Sequence, residues 1–204
     1  MENTAREFMA AHGGEVKAIP CDIRSADAID EIVDQIWNDG GALTGLINNA
    51  AGNFVSRIED LASRAFDAVA NIVFRGSFLV TLICGKRWLA EKKPASVVSI
   101  VTTWVWNGSP FVVPSAMSKA GLNTMTQSLA VEWGNRAVRF NTIAPVLFPT
   151  EGMNKRLCPP GKMDLGESPM GRPGKYLELA NLAFYLLAPG SWFVNGQTIA
   201  IDGG

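Results

Sequence analysis

The amino-acid sequence predicts an α/β fold, a doubly wound parallel sheet with helices on both faces. Three observations carry this reading. Segments with helical spacing alternate along the chain with short runs rich in β-branched residues, the order that builds a parallel sheet. Of the 204 residues, 48% are hydrophobic and 18% charged, which supplies a core and leaves too little charge for a disordered chain. No repeat and no linker interrupts the alternation, so residues 1–204 read as one domain.

Ser25 is a candidate N-cap for a helix carrying Ile29, Ile32, Val33, Ile36 and Trp37 at helical spacing. Leu43–Ile47 is a short apolar strand that ends in polar residues. A long apolar-rich helix covers Phe66–Leu89. Ala95–Thr103 (ASVVSIVTT) is dominated by β-branched residues and reads as a buried strand. Met117–Trp133 is a helix with Gly134 to end it. Val138–Ile143 is a strand, Leu177–Ala188 a helix and Thr198–Ile201 the last strand. Between them, Pro145–Pro173 is rich in Pro and Gly and reads as a long irregular loop; loops of that length in compact domains are usually functional or mobile.

Composition removes several function classes. Lys and Arg number 18 against 19 Asp and Glu, a net charge of -1, whereas a nucleic-acid wrapper needs a basic face. No apolar run approaches the ~20 residues of a membrane span, because Arg75, Lys86 and Arg87 break the longest ones. Cys21, Cys84 and Cys158 are odd in number and in no paired motif, as expected of reduced thiols in an intracellular protein. His12 is the only histidine, so no metal site is expected. No basic segment followed by an apolar one opens the chain, so no secretory signal is visible. The expected compartment is the cytoplasm, with the mitochondrial matrix as the alternative.

Ligands of doubly wound sheets bind beyond the carboxyl ends of the strands. Those ends carry Asp22, Asn48–Asn53, Thr102, Thr103 and the segment after Pro145. Taken alone, Asn48–Phe54 (NNAAGNF) is a sufficient Asn/Gly turn. It occurs together with Ser115-Ala-Met-Ser-Lys119-Ala-Gly, Asn141-Thr-Ile-Ala-Pro145 and the closing Asp202-Gly-Gly. This combination resembles the short-chain dehydrogenase/reductase superfamily, nicotinamide-dependent enzymes of Rossmann type. NNAAGNF (48–54), GSPFVVPSAMSKAG (108–121), SLAVEWG (128–134), VRFNTIAP (138–145) and ELANLA (178–183) narrow the likeness to the 2,4-dienoyl-CoA reductases. Ser115 stands four residues before Lys119, where most of the superfamily has Tyr and the dienoyl-CoA group has Ser.

The resemblance implies NADPH-dependent reduction of a conjugated dienoyl thioester in unsaturated fatty acid oxidation, with NADP(H) as cofactor. Lys119 would hold the nicotinamide ribose. Asn53 would donate to the thioester oxygen, an oxyanion-hole role, with Ser115 in support. Asp22 would accept from the adenine amine. Asn49, Ala50, Pro145, Val146, Leu147 and Phe148 would line the cofactor. Arg24, Phe54 and Arg156 would meet the acyl-CoA, a guanidinium being suited to its phosphates. Helices around Asn71–Leu89 and Met117–Trp133 would assemble a homo-oligomer through Phe74, Phe78, Leu82, Met125, Leu129 and Trp133. No nucleic-acid or membrane partner is implied.

The chain departs from the family pattern in three ways. The proton-donating Tyr, fifteen residues before the Lys, is Trp104 here, and the two tyrosines, Tyr176 and Tyr185, lie far along the chain. An indole N–H donates a hydrogen bond but does not release its proton at usable pH. No G-x-G-x-x-G occurs, although that motif belongs to the first β-α-β unit. The resemblance therefore casts the chain as N-terminally truncated: Glu2–Ala11 is similar to the helix entering the third strand, and a strand near Val16–Ile19 would lack its usual neighbours. Third, Val146 replaces the usual Gly after Pro145. Three functions follow: a dienoyl-CoA reductase, a non-catalytic relative that binds or assembles, and a reductase for another substrate.

Overall fold

A computed structural model describes residues 6–7, 9–11, 13–146, 148–149 and 168–204. Its sheet has four parallel strands in the order β1 (Gly45–Asn48), β2 (Ala95–Ile100), β3 (Val138–Pro145), β4 (Thr198–Ile201). Consecutive strands are neighbours, each reached through a helical connection, as parallel pairing requires. The helices are α1 (Ala26–Gly40), α2 (Ser63–Ala70), α3 (Ser77–Glu91), the single turn α4 (Trp104–Asn107), α5 (Val113–Trp133) and α6 (Tyr176–Leu187).

β2 and β3 are buried on both faces, with the polar residues Ser96, Ser99, Arg139, Asn141 and Thr142 buried among their apolar ones. Val97 and Phe140 point toward α1, α3 and α5, meeting Ile29, Val33, Ile83, Trp88 and Trp133. Val98 and Ile143, one and three residues on, point the opposite way toward Ala183 and Leu186 of α6. A third cluster, at the carboxyl ends of the strands, joins Val69, Val73, Val101, Leu122 and Ala144. Ser25 caps α1 as expected, accepting from Ala28 N at 3.3 Å.

The helix expected over Phe66–Leu89 forms, extended to 29 residues (Ser63–Glu91), with a π-helical stretch over Asn71–Gly76. Its length and apolarity would suffice to cross a membrane, yet Val69, Val73, Ile83, Cys84 and Trp88 enter the protein core. The π-helical stretch brings Gly76 against the loop before α1: a Cβ there would lie 2.7 Å from Ile23 Cδ1. The strand expected to reach Thr103 ends at Ile100, and the chain then turns into α4. α5 starts at Val113, earlier than expected, because Pro114 suits a first helical turn. Residues 15–22 form no strand. A strand needs a hydrogen-bonding neighbour, and among the described residues β1 pairs only with β2. Ile47 on β1 is accordingly 44% exposed. Cys21 is exposed and Cys84 buried, both free thiols; burial pushes the Cys84 thiol up to about 11.

Candidate active site

The site forms where β1, β2, β3 and β4 end. Helix α5 passes this edge and carries Ser115 and Lys119 one turn apart, hence on one face. Lys119 is only 6% exposed. Its ammonium donates to the carbonyl of Ile100, the last residue of β2. No carboxylate pairs with it among the described residues, and burial alone lowers its pKa to about 8. An ammonium has three donors; one is used by that carbonyl, so the remainder can serve a ligand. Ser115 is also buried, and its hydroxyl makes no hydrogen bond among the described residues.

The loop after β1 leaves the same edge of the sheet. Asn48 is a pin rather than a ligand-facing group: it is buried, and its Nδ2 donates to Thr81 Oγ1 (2.9 Å) and Ser99 Oγ (3.2 Å). Asn49 and Ala50 are exposed beyond it. Asn53 is half-buried, and its Oδ1 accepts from Phe54 N at 2.9 Å. That bond orients the amide and leaves Nδ2, its donor end, with no partner among the described residues. Phe54, expected to touch substrate, packs against the cluster of Val69, Val73 and Leu122. Its ring anchors the loop that presents Asn53.

Trp104 is half-buried at the start of α4, just past the strand end where a proton donor was expected. Its Nε1 makes no hydrogen bond among the described residues. Pro145 closes β3, and Val146 N donates to Ile201 O at 3.2 Å, which binds this wall to β4. Phe148 is buried against Gly174, where a Cβ would overlap its ring. Phe148 and Val146 line a cavity of about 160 Å³ with Arg172, Glu178 and Asp202. Leu147 and Arg156 lie outside the described residues, as does Cys158.

Asp22 and Arg24, assigned to cofactor and substrate respectively, form one ion pair. Arg24 Nε lies 2.8 Å from Asp22 Oδ1 and Arg24 NH2 lies 2.7 Å from Oδ2. The guanidinium holds the Asp22 carboxyl down to about 2. Arg75 of the π-helical stretch donates to Arg24 O at 2.6 Å and fixes the loop. Asp22 thus meets any adenine amine only in competition with Arg24. Two groups escaped the sequence reading. The Ile100 carbonyl carries no side-chain signal at all. Arg139 is buried inside β3 and donates to four carbonyls, those of Ser191, Val194, Leu186 and Ala188; a charge at a strand's second residue reads as surface until α6 is seen to end over it.

A family model described as enoyl-(acyl carrier protein) reductase matches residues 1–204. The chain belongs to the short-chain dehydrogenase/reductase family. This is a family of oxidoreductases. A relative from Caenorhabditis elegans, named probable 2,4-dienoyl-CoA reductase, (3E)-enoyl-CoA-producing, is 39% identical over 210 residues, covering all of this chain and 68% of its own. A Bacillus subtilis relative, named probable 2,4-dienoyl-CoA reductase, (2E)-enoyl-CoA-producing, is 34% identical over 208 residues, covering all of this chain and 82% of its own. The crystal structure of a short chain dehydrogenase from Bacillus anthracis is similar with a TM-score of 0.85 at 33% identity, covering 100% of this chain and 82% of that one. The spare ammonium donors of Lys119 and the free Asn53 amide are able to donate to hydroxyl or carbonyl oxygens of a ligand. No Gly-rich phosphate turn is present in these residues to hold a pyrophosphate.

Proposed function

We propose that the chain acts on 2,4-dienoyl-CoA thioesters as an NADPH-dependent reductase of unsaturated fatty acid oxidation. The carrying observation is Lys119: a buried ammonium without a carboxylate among the described residues, one turn from Ser115 and bonded to the last carbonyl of β2. Names of relatives at 34% and 39% identity support the substrate class. When bound, the reduced nicotinamide supplies a hydride to the distal carbon of the diene, C5. Asn53 Nδ2 then stabilises the oxygen of the dienolate, and the positive field of Lys119 acts in the same direction. A proton at C2 leaves a C3–C4 double bond, a (3E)-enoyl-CoA. The acyl-CoA is the expected small-molecule partner and the cytoplasm or mitochondrial matrix the proposed compartment. Exposed Phe74 and Phe78 support a homo-oligomer, whereas Trp133 packs edge-on against Phe140 in the core.

Trp104 favours a second reading, a family member that binds but turns over slowly, because an indole cannot deliver the C2 proton. Oxidation of NADPH with a 2,4-dienoyl-CoA, compared between the parent and Trp104→Tyr, separates the two. Loss of a positioned proton donor costs ~10²–10⁴ in rate, so the Tyr variant is expected to be at least ~10-fold faster. Equal rates well above background would remove Trp104 from the proton-donor position. Failure of both proteins to oxidise NADPH, together with no binding of any acyl-CoA, would end the reductase reading.

A further inference from the structure

We propose that Lys119 is itself the proton donor of the reaction, in the role that Trp104 cannot fill. This rests on the reductase reading above and adds the group that completes the reaction. Residues 40–56, 94–118 and 140–149 carry the ends of β1, β2 and β3 and the segments that leave them, and they contain no Asp, Glu, His, Cys, Tyr, Lys or Arg. The polar side chains that remain there are hydroxyls, amides and indoles, and none of these gives up a proton at neutral pH. Helix α5 brings one titratable side chain to the end of β2: Lys119, whose ammonium donates to Ile100 O. Asp202, past the end of β4, accepts from Gly204 N and lines the cavity with Arg172 and Glu178 instead.

A lysine this deeply buried ordinarily has a counter-ion. Lys119 has only a carbonyl among the described residues. The titratable and charged groups on the elements packed against α5 are engaged elsewhere. Arg75 donates to Arg24 O, Arg87 pairs with Asp30 and Asp34, and Arg139 is bonded to carbonyls. Arg64 and Asp67 on α2 are exposed, and Cys84 on α3 lies in the cluster of Trp88 and Phe140. Burial alone therefore acts on the ammonium and brings its pKa to about 8. Such a group is protonated at neutral pH and releases its proton more readily than an exposed lysine, as a general acid requires. Once C5 carries the hydride, the dienolate holds an electron pair shared between C2 and the thioester oxygen. An Nζ–H bond not taken by Ile100 O breaks, its proton bonds to C2 with that electron pair, and the thioester carbonyl re-forms. Lys119 is left as a neutral amine, which takes a proton back from water when the product leaves.

The test is the pH profile of kcat for NADPH oxidation with a 2,4-dienoyl-CoA on the full chain. In the parent, kcat is expected to be level below a pH of about 8 and to fall roughly tenfold for each unit above it. Unfolding cannot imitate this fall, because the buried ammonium makes the fold more stable as the pH rises over the same range. In Trp104→Tyr a phenol takes over the transfer, and the fall is expected to move up toward ~10. Lys119→Arg keeps the charge but holds its proton at every usable pH, so kcat is expected to drop by ~10²–10⁴. Adding Trp104→Tyr to Lys119→Arg is expected to recover at least ~10-fold of that loss. A parent whose kcat stays level from about pH 7 to 10, or a folded Lys119→Arg with the parental kcat, would overturn the proposal and leave the reductase reading standing. A parent that binds NADPH and the dienoyl-CoA without turnover would overturn the proposal in favour of the slow-turnover reading. Absence of binding of either would overturn both.

Discussion

At the scale of single residues, the buried Lys119 carries an energetic cost. Its ordinary pKa of 10.5 falls to about 8 in the folded protein because burial penalises the charge. Between these two values the unfolded chain binds more protons, so stability rises as the pH increases from about 8 to 10.5. Below about 8 the full penalty is present. Lys119→Met removes it and forfeits one hydrogen bond to Ile100 O, worth about 1 kcal/mol. The variant is expected to gain about 1–3 kcal/mol at neutral pH, net of that bond. Its urea midpoint should also lose the parent's rise in mild alkali, and a midpoint lower than the parent's at pH 7 would refute this. Asn53→Ala tests the loop after β1. Its loss as an oxyanion donor is expected to lower any dienoyl-CoA reduction by ~10²–10³ in kcat, with acyl-CoA binding retained.

At the scale of elements, glycines set how closely helices and loops approach. Gly85 on α3 faces the ring of Trp133 on α5, and an added Cβ would overlap it. The ring cannot retreat, because it is buried against Phe140 with centroids 5.6 Å apart. Gly85→Ala is therefore expected to destabilise the fold by about 1–3 kcal/mol as an overpacked core, read as a lower thermal midpoint. Gly121 on α5 makes the same accommodation for Phe74, 2.7 Å from a would-be Cβ. The start of α6 depends on charge. Glu178 accepts from Arg172 at 2.6 Å and from Lys175 N at 2.8 Å, and these bonds hold its carboxyl down to about 2. This contribution is complete above the ordinary value of 4.5 and is lost as the pH falls toward 2. Both side chains are more than a third exposed, so its loss is expected to fray the first turn of α6 rather than unfold the chain; amide exchange along that helix measures it.

At the scale of the whole molecule, the apolar side chains that the core does not take define how copies meet. Phe74 and Phe78, one turn apart on the long helical segment Ser63–Glu91, are both exposed, and an exposed apolar surface favours association. Phe78→Glu is expected to lower the sedimenting mass at micromolar concentration without loss of helicity. A parent that already sediments as a monomer would sink the oligomer.

The order of elements was legible along the chain because short segments rich in β-branched and apolar residues alternate with segments of helical spacing. Ala95–Ile100 and Val138–Pro145 could hardly be anything else. Lys119, Ser115 and Asn53 could be named as candidates because they occur in local motifs, and a motif within one turn or one loop is visible without knowledge of the fold. What escaped depends on contacts between distant segments. Asp22 and Arg24 pair two residues apart, and the loop that carries them is held by Arg75, 51 residues beyond Arg24. The inward turn of Phe54 and the burial of Arg139 under the end of α6 likewise have no local signature. The expected strand near Val16–Ile19 has strand-like residues but no partner among the described residues. The sequence by itself determined which residues could enter a sheet and which motifs could bear chemistry. Only the tertiary structure decided which strands paired, which charges were neutralised and which rings remained exposed, since pairing and burial belong to two segments at once.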